Sequence, residues 1–183
     1  MEQICGIDEA GRGPLAGELV VSGVVLEDEV KGLMDSKKLS AKRREELYGQ
    51  IIKNSKYHIV IISVEDIDTQ GISKCLHNAL VEIQQNLSGY RYIFDGNSKF
   101  GVEGIETLIK ADDKIPEVSA ASILAKVTRD RLMIEYAKSY PEYGFDRHKG
   151  YATKAHYAAL HKHNRCPIHR KSFFIKGLDG LFS

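Results

Sequence analysis

Several things are scarce in this chain, and each scarcity excludes something. Three cysteines, Cys5, Cys75 and Cys166, are odd in number and far apart. They form neither a disulfide framework nor a metal-ligand spacing, which points to a reducing interior. No apolar run exceeds the length of a strand, so none is long enough to span a membrane. No basic stretch precedes an apolar core at the start, Met-Glu-Gln, which predicts no secretory leader and a cytoplasmic location. Net charge is only +1, so composition does not announce a nucleic-acid binder. Internal repeats and low-complexity segments are missing too. What remains is 183 residues, 43% of them hydrophobic, enough for one domain with a real core.

Charge is uneven along that length. Between Gly144 and Lys176 there are eight Lys/Arg residues against one acid, Asp146, and five of the seven histidines. Such a segment can contact phosphates, although a solvated helical face has the same composition.

The chain is organised around Ile4 to Gly17. A short apolar run ends in two adjacent carboxylates, Asp8 and Glu9, and a turn, Gly11-Arg12-Gly13, follows before a second apolar run from Leu19 to Leu26. Successive strand residues point to opposite faces, so Asp8 and Glu9 share one pocket only if one of them sits at the strand end. Glycines there permit close approach of a ligand backbone. The acids precede the glycines and the spacing is Gly-x-Gly-x-x-x-Gly, so a dinucleotide loop fits poorly.

Alternating patterns predict the rest. Ser40 is a candidate N-cap for a helix with Leu47, Tyr48, Ile51 and Ile52 on one face. Tyr57–Val64 reads as a strand, Ser73–Leu87 as a helix with Leu76, Leu80, Ile83 and Leu87 inward, and Tyr90 onward as a strand ending in Asp95. Ile105–Lys110 reads as a third strand, leading to Ala111-Asp112-Asp113. A long helix is expected over Ser119–Tyr140, with Ala120, Ile123, Leu124, Val127, Leu132 and Ile134 apolar, and a short one over Ala152–Leu160. Strands alternating with helices argue an α/β fold, whose ligands gather at the carboxyl ends of strands. Any single aspartate here is more often a turn residue or a cap. Four acids around one pocket would repel one another unless divalent cations were bound, and oxygen ligands suit Mg²⁺ or Mn²⁺.

The motifs Asp8-Glu9-Ala10-Gly11-Arg12-Gly13, Asp35-Ser36-Lys37-Lys38-Leu39, Asp95-Gly96, Lys110-Ala111-Asp112, Ala120-Ala121-Ser122-Ile123-Leu124-Ala125-Lys126, His148-Lys149-Gly150-Tyr151 and His169-Arg170-Lys171-Ser172-Phe173 occur in this order. Together they resemble type 2 ribonuclease H (ribonuclease HII) over nearly the whole chain. The resemblance implies a ribonuclease H-like mixed central sheet flanked by helices. It implies a single catalytic domain over residues 1–183, with about 141–183 forming a basic helical substrate-binding region. It also implies an endoribonuclease that cuts the RNA strand of RNA–DNA hybrids, and a monomer is the default expectation. Such an enzyme would also cut 5′ of single ribonucleotides in duplex DNA, through two divalent ions, Mg²⁺ or Mn²⁺, leaving 3′-hydroxyl and 5′-phosphate ends.

By the same resemblance Asp8, Glu9, Asp95 and Asp112 are the metal-binding acids. Gly11, Arg12 and Gly13 are the turn that grips the ribonucleotide, Tyr151 packs on the adjoining sugar, and Lys37 and Lys38 contact the nucleic-acid backbone. Ala111 stands where the family pattern has glycine, and Glu18 where many members have proline. A 2′-hydroxyl is the group that separates RNA from DNA, and exposed backbone groups in a glycine turn can test for it. Two other readings compete: a nuclease of this fold acting on DNA alone, and a hybrid-binding module without catalysis. The Gly11–Gly13 turn with Tyr151 argues against the first, and the presence of all four acids against the second.

Overall fold

The computed structural model describes residues 3–33, 39–175 and 177–179. A five-stranded sheet carries the molecule, in the order β3-β2-β1-β4-β5. Its strands are β1 (Ile4–Ala10), β2 (Leu19–Leu26), β3 (Ser55–Ile62), β4 (Arg91–Asp95) and β5 (Ile105–Leu108). The first three pair antiparallel, whereas β4 lies parallel to both β1 and β5. The sheet is therefore mixed, as expected.

Helices cover both faces because the central strands are buried on both. On one face α2 (Val64–Gln70) and α3 (Ile72–Asn86) cover Cys5, Ile7, Val21 and Phe94 with Ile67, Leu76, Leu80 and Ile83. On the other, α1 (Ala41–Lys53) and α4 (Pro116–Ser139) pack Leu47, Ile51, Ala120 and Leu124 against Val24. Gly6 lets α4 approach β1 closely, since a Cβ there would overlap the backbone of Glu117 and Val118. Ser22 in β2 completes the attachment by donating to the Ala121 carbonyl at 2.6 Å.

Two short helices, α5 (Phe145–His148) and α6 (Lys154–His163), close the C-terminal region. Phe145, Leu160, Ile168 and Ile175 form a further apolar cluster with Leu15 and Ala16, from the connection between β1 and β2. The C-terminal segment is thereby fastened to the opening hairpin. Among the described residues no helix is long and apolar enough to cross a membrane.

The structure corrects several expected boundaries. The strand expected at Tyr57–Val64 is Ser55–Ile62, because Ser63 accepts from the Asp66 amide at 3.0 Å and caps α2, a helix the sequence pattern did not predict. The helix expected from Ser119 begins at Pro116, a residue suited to a first helical turn. Of its apolar residues Ile134 is exposed, while Met133 and the charged Arg129 lie inside. The short helix expected over Ala152–Leu160 runs over Lys154–His163, capped by Thr153. Ser40 does cap α1, accepting from the Arg43 amide at 3.2 Å.

Candidate active site

Three aspartates meet at the carboxyl ends of the parallel strands. One oxygen from each of Asp8, Asp95 and Asp112 lies within 4.8 Å of the other two. Asp95 is the last residue of β4, and Asp8 sits near the end of β1. Asp112 is not on the third strand, which stops at Leu108. It sits instead on a single 3₁₀ turn, Ala111–Asp113. Asp95 holds that turn in place by accepting from the Ala111 amide at 2.9 Å. The left-handed residue before the turn is Lys110, at φ 56°, so Ala111 needs no glycine-like freedom. Asp112 is buried, whereas its neighbour Asp113 faces solvent.

Both carboxylates of the Asp8-Glu9 pair lie inside β1, which stays paired to β2 through Ala10. Neither sits beyond the strand end, and the strand's alternation separates them: the trio takes Asp8 alone. Glu9 turns to Arg12, 2.7 Å away, and lines an adjoining groove. Its Oε2 is buried with no hydrogen-bond partner among the described residues.

Burial pushes the Asp8 carboxyl well above the usual carboxylate range, and the charges of Glu9 and Asp95 push it further. Burial likewise raises Glu9, against the opposing pull of Arg12. A buried carboxylate cluster held this way is costly as bare charge, and oxygen-only donors fit a hard divalent cation. The residues present therefore suit Mg²⁺ or Mn²⁺.

The adjoining groove has a volume of about 380 Å³ and is lined by Glu9, Gly11, Arg12, Gly13, Ser122 and Tyr151, with Arg44 and Lys126 beside them. Tyr151 is 41% exposed there, directly after the buried Gly150. Left-handed backbone at Lys149 and Gly150 makes the sharp turn that brings it to the surface. Ser122 hydrogen-bonds Asp8, a contact that a small hydroxyl on a mostly apolar helix does not signal in the sequence. Arg44 and Lys126 also went unassigned, since a basic residue on an amphipathic helix carries no signal of which groove it borders. Lys37 and Lys38 lie outside the described residues, as does Lys176.

Aspartates at adjacent strand ends thus lie beside a glycine-arginine-glycine turn and an exposed tyrosine. A family model for ribonuclease HII matches residues 5–176. The chain belongs to the ribonuclease HII family. It is 64% identical over 176 residues to ribonuclease HII of Sulfurovum sp. (strain NBC37-1), covering 96% of this chain and 94% of that one. Among solved structures, ribonuclease HII of Archaeoglobus fulgidus, determined in complex with PCNA, superposes with a TM-score of 0.81 at 31% identity, covering 92% of each chain. Ribonuclease H2 of Pyrococcus horikoshii OT3 gives a TM-score of 0.74 at 27% identity, covering 93% of each. As a ribonuclease HII, this chain is a metal-dependent endoribonuclease for RNA–DNA hybrids. That assignment sets aside both the DNA-only nuclease and the inactive binding module.

Proposed function

We propose that this ribonuclease HII cuts on the 5′ side of ribonucleotides, including single ones embedded in duplex DNA, and leaves 3′-hydroxyl and 5′-phosphate ends. The observation that carries this reading is the contiguity of the acid trio with a groove lined by Gly11, Arg12, Gly13 and Tyr151.

Asp8, Asp95 and Asp112 would hold the divalent cations, with Glu9 completing the set from the groove side. Two such ions, Mg²⁺ or Mn²⁺, would supply an activated water and charge stabilisation on the leaving oxygen of an in-line displacement. The chain's own residues do the selecting. Gly11–Gly13 offers backbone groups to a 2′-hydroxyl at close range, where a bulkier turn would stand off. Arg12 keeps Glu9 oriented while part of its guanidinium remains exposed to a phosphate. Tyr151 presents a flat apolar face suited to the neighbouring sugar, and a hydroxyl at its edge. Lys126 and Arg44 line the same groove, on the path of a phosphate backbone. The basic C-terminal region, about 141–183, would track the phosphates further, and Lys37 and Lys38 would contact the nucleic-acid backbone. The whole chain acts as one catalytic domain, as a monomer in the cytoplasm.

The test is cleavage of an end-labelled DNA duplex carrying one ribonucleotide, with Mg²⁺ or Mn²⁺, beside an all-DNA duplex and an Asp95→Asn variant. A single cut 5′ of the ribonucleotide, lost in the variant and absent from the all-DNA duplex, is expected. Cutting of the all-DNA duplex at a comparable rate would refute the selective role of the turn.

A further inference from the structure

Two arginines, Arg129 and Arg170, are among the most completely buried side chains of the protein, at 1% and 0% exposure. Neither forms an ion pair among the described residues. Buried charge needs hydrogen-bonding partners, and here the partners are backbone carbonyls. Arg170 donates from Nε to Gly17 O at 2.9 Å, from one terminal nitrogen to Arg12 O at 3.0 Å, and from the other to Gly11 O at 2.6 Å and Gly17 O at 2.7 Å. Arg129 donates to Glu18 O at 2.9 Å, Lys149 O at 2.9 Å and Ala16 O at 3.0 Å. Five carbonyls of the Gly11–Glu18 connection thus converge on two guanidiniums. The sixth belongs to Lys149, two residues before Tyr151.

This arrangement has a geometric consequence. A peptide unit is planar and its N–H points opposite to its C=O. With the carbonyls of Gly11 and Arg12 drawn inward to Arg170, the amides of Arg12 and Gly13 are turned outward. Among the described residues, neither amide has a hydrogen-bond partner within the protein. Gly11 itself must be glycine: its φ is +96°, and a Cβ would collide with the Arg129 side chain. The same Arg129 side chain also reaches Tyr151, its guanidinium lying 5.5 Å from the centre of the ring.

We infer that Arg129 and Arg170 are positioning residues for ribonucleotide recognition: they set the peptide planes of the Gly11–Gly13 turn so that its amides face the groove, and Arg129 fixes Tyr151 relative to them. Neither arginine touches substrate in this scheme. Lysine cannot replace them, because an ammonium is a point charge without the planar fork that spans several carbonyls. The Arg170 segment is in turn pinned from outside by Asp68, which accepts from the amides of Lys171 and Ser172 at 2.9 Å each. The inference rests on the proposed reading of Gly11–Gly13 as the turn that tests the 2′-hydroxyl.

The experiment is fluorescence anisotropy with two duplexes that differ only in one 2′-hydroxyl, in Ca²⁺ to limit turnover, for wild type, Arg170→Lys and Arg129→Lys. The quantity read is the ratio of Kd for the all-DNA duplex to Kd for the ribonucleotide duplex, which an inactive fraction of protein does not change. The ratio should fall about tenfold in the variants, the worth of one to two net hydrogen bonds, while the all-DNA Kd stays within about twofold. Folding is checked by thermal melting and by calorimetric titration of Mn²⁺ onto the acid trio. A high wild-type ratio retained by both folded variants would overturn the inference and leave the reading of the turn standing. A wild-type ratio near unity would remove that reading, and the inference with it. Failure of both lysine variants to fold would reduce the arginines to architecture and overturn the inference.

Discussion

The Nε2 atoms of His156 and His169 lie 3.0 Å apart inside a pocket closed to solvent. The surrounding bonds assign the proton on each ring. The Cys166 amide donates to His169 Nδ1 at 2.9 Å, so His169 carries its hydrogen on Nε2 and donates it to His156. His156 then carries its hydrogen on Nδ1, which donates to the Tyr151 carbonyl at 3.0 Å. Both rings must be neutral for this relay to hold. Burial accordingly pushes each imidazole down to about 4, from an ordinary value of 6.5.

That relay makes a prediction about pH. The folded values lie below the unfolded one, so the unfolded chain binds more protons between pH 6.5 and about 4. Stability from this pair is complete above pH 6.5 and is lost as pH falls through about 4, by at most roughly 3 kcal/mol per ring. Urea titrations across that range, in an Asp8→Asn background that removes the main opposing carboxylate effect, should show a midpoint that falls with pH. A flat midpoint would refute the neutral relay.

Asp8→Asn itself should stabilise the metal-free protein while disabling it. The folded carboxyl is held above its unfolded value by burial and by Glu9 and Asp95, so its ionised form costs stability at neutral pH. Removing that charge should raise Tm in chelator by roughly 2–4 °C, the shift about 1 kcal/mol produces in a chain of this size. Mn²⁺ titration should show weakened binding and hybrid cleavage should be lost. A lower Tm in chelator would show that the carboxylate contributes to folding rather than opposing it.

Tyr151→Ala should separate function from stability. The side chain is 41% exposed, so its loss should change folding free energy by no more than about 0.5 kcal/mol. Loss of its stacking surface should lower kcat/KM on a one-ribonucleotide duplex by about tenfold, equivalent to about 1.4 kcal/mol. Activity equal to wild type would remove Tyr151 from the recognition surface.

Gly6→Ala should be strongly destabilising. A methyl group would overlap the backbone at the start of α4, which cannot yield without separating helix from sheet. A cost of about 3 kcal/mol is expected, read as a drop in urea midpoint at constant slope. A midpoint within error of wild type would show that α4 can shift freely on β1.

How much of this was legible beforehand follows from the range of each signal. Local patterning carried the opening hairpin, the Ser40 cap and the inward stripe of α3, because strand alternation and helical periodicity act over a few residues. It missed α2, where a serine cap turned the end of an apolar run into a new helix. It also passed over Arg129, which the fold buries, since charge reads as solvent-facing unless its partners are known.

The sequence by itself determined the family and set the acids and the glycine turn in ordered motifs, which are short and chemically specific. Only the tertiary structure decided how they are used. It grouped Asp8 with Asp95 and Asp112 and turned Glu9 to Arg12. It also brought Arg170 within 2.6 Å of Gly11, a residue 159 positions earlier in the chain. Such contacts depend on the sheet order and on which way each peptide faces once the core has closed, and no local pattern encodes either.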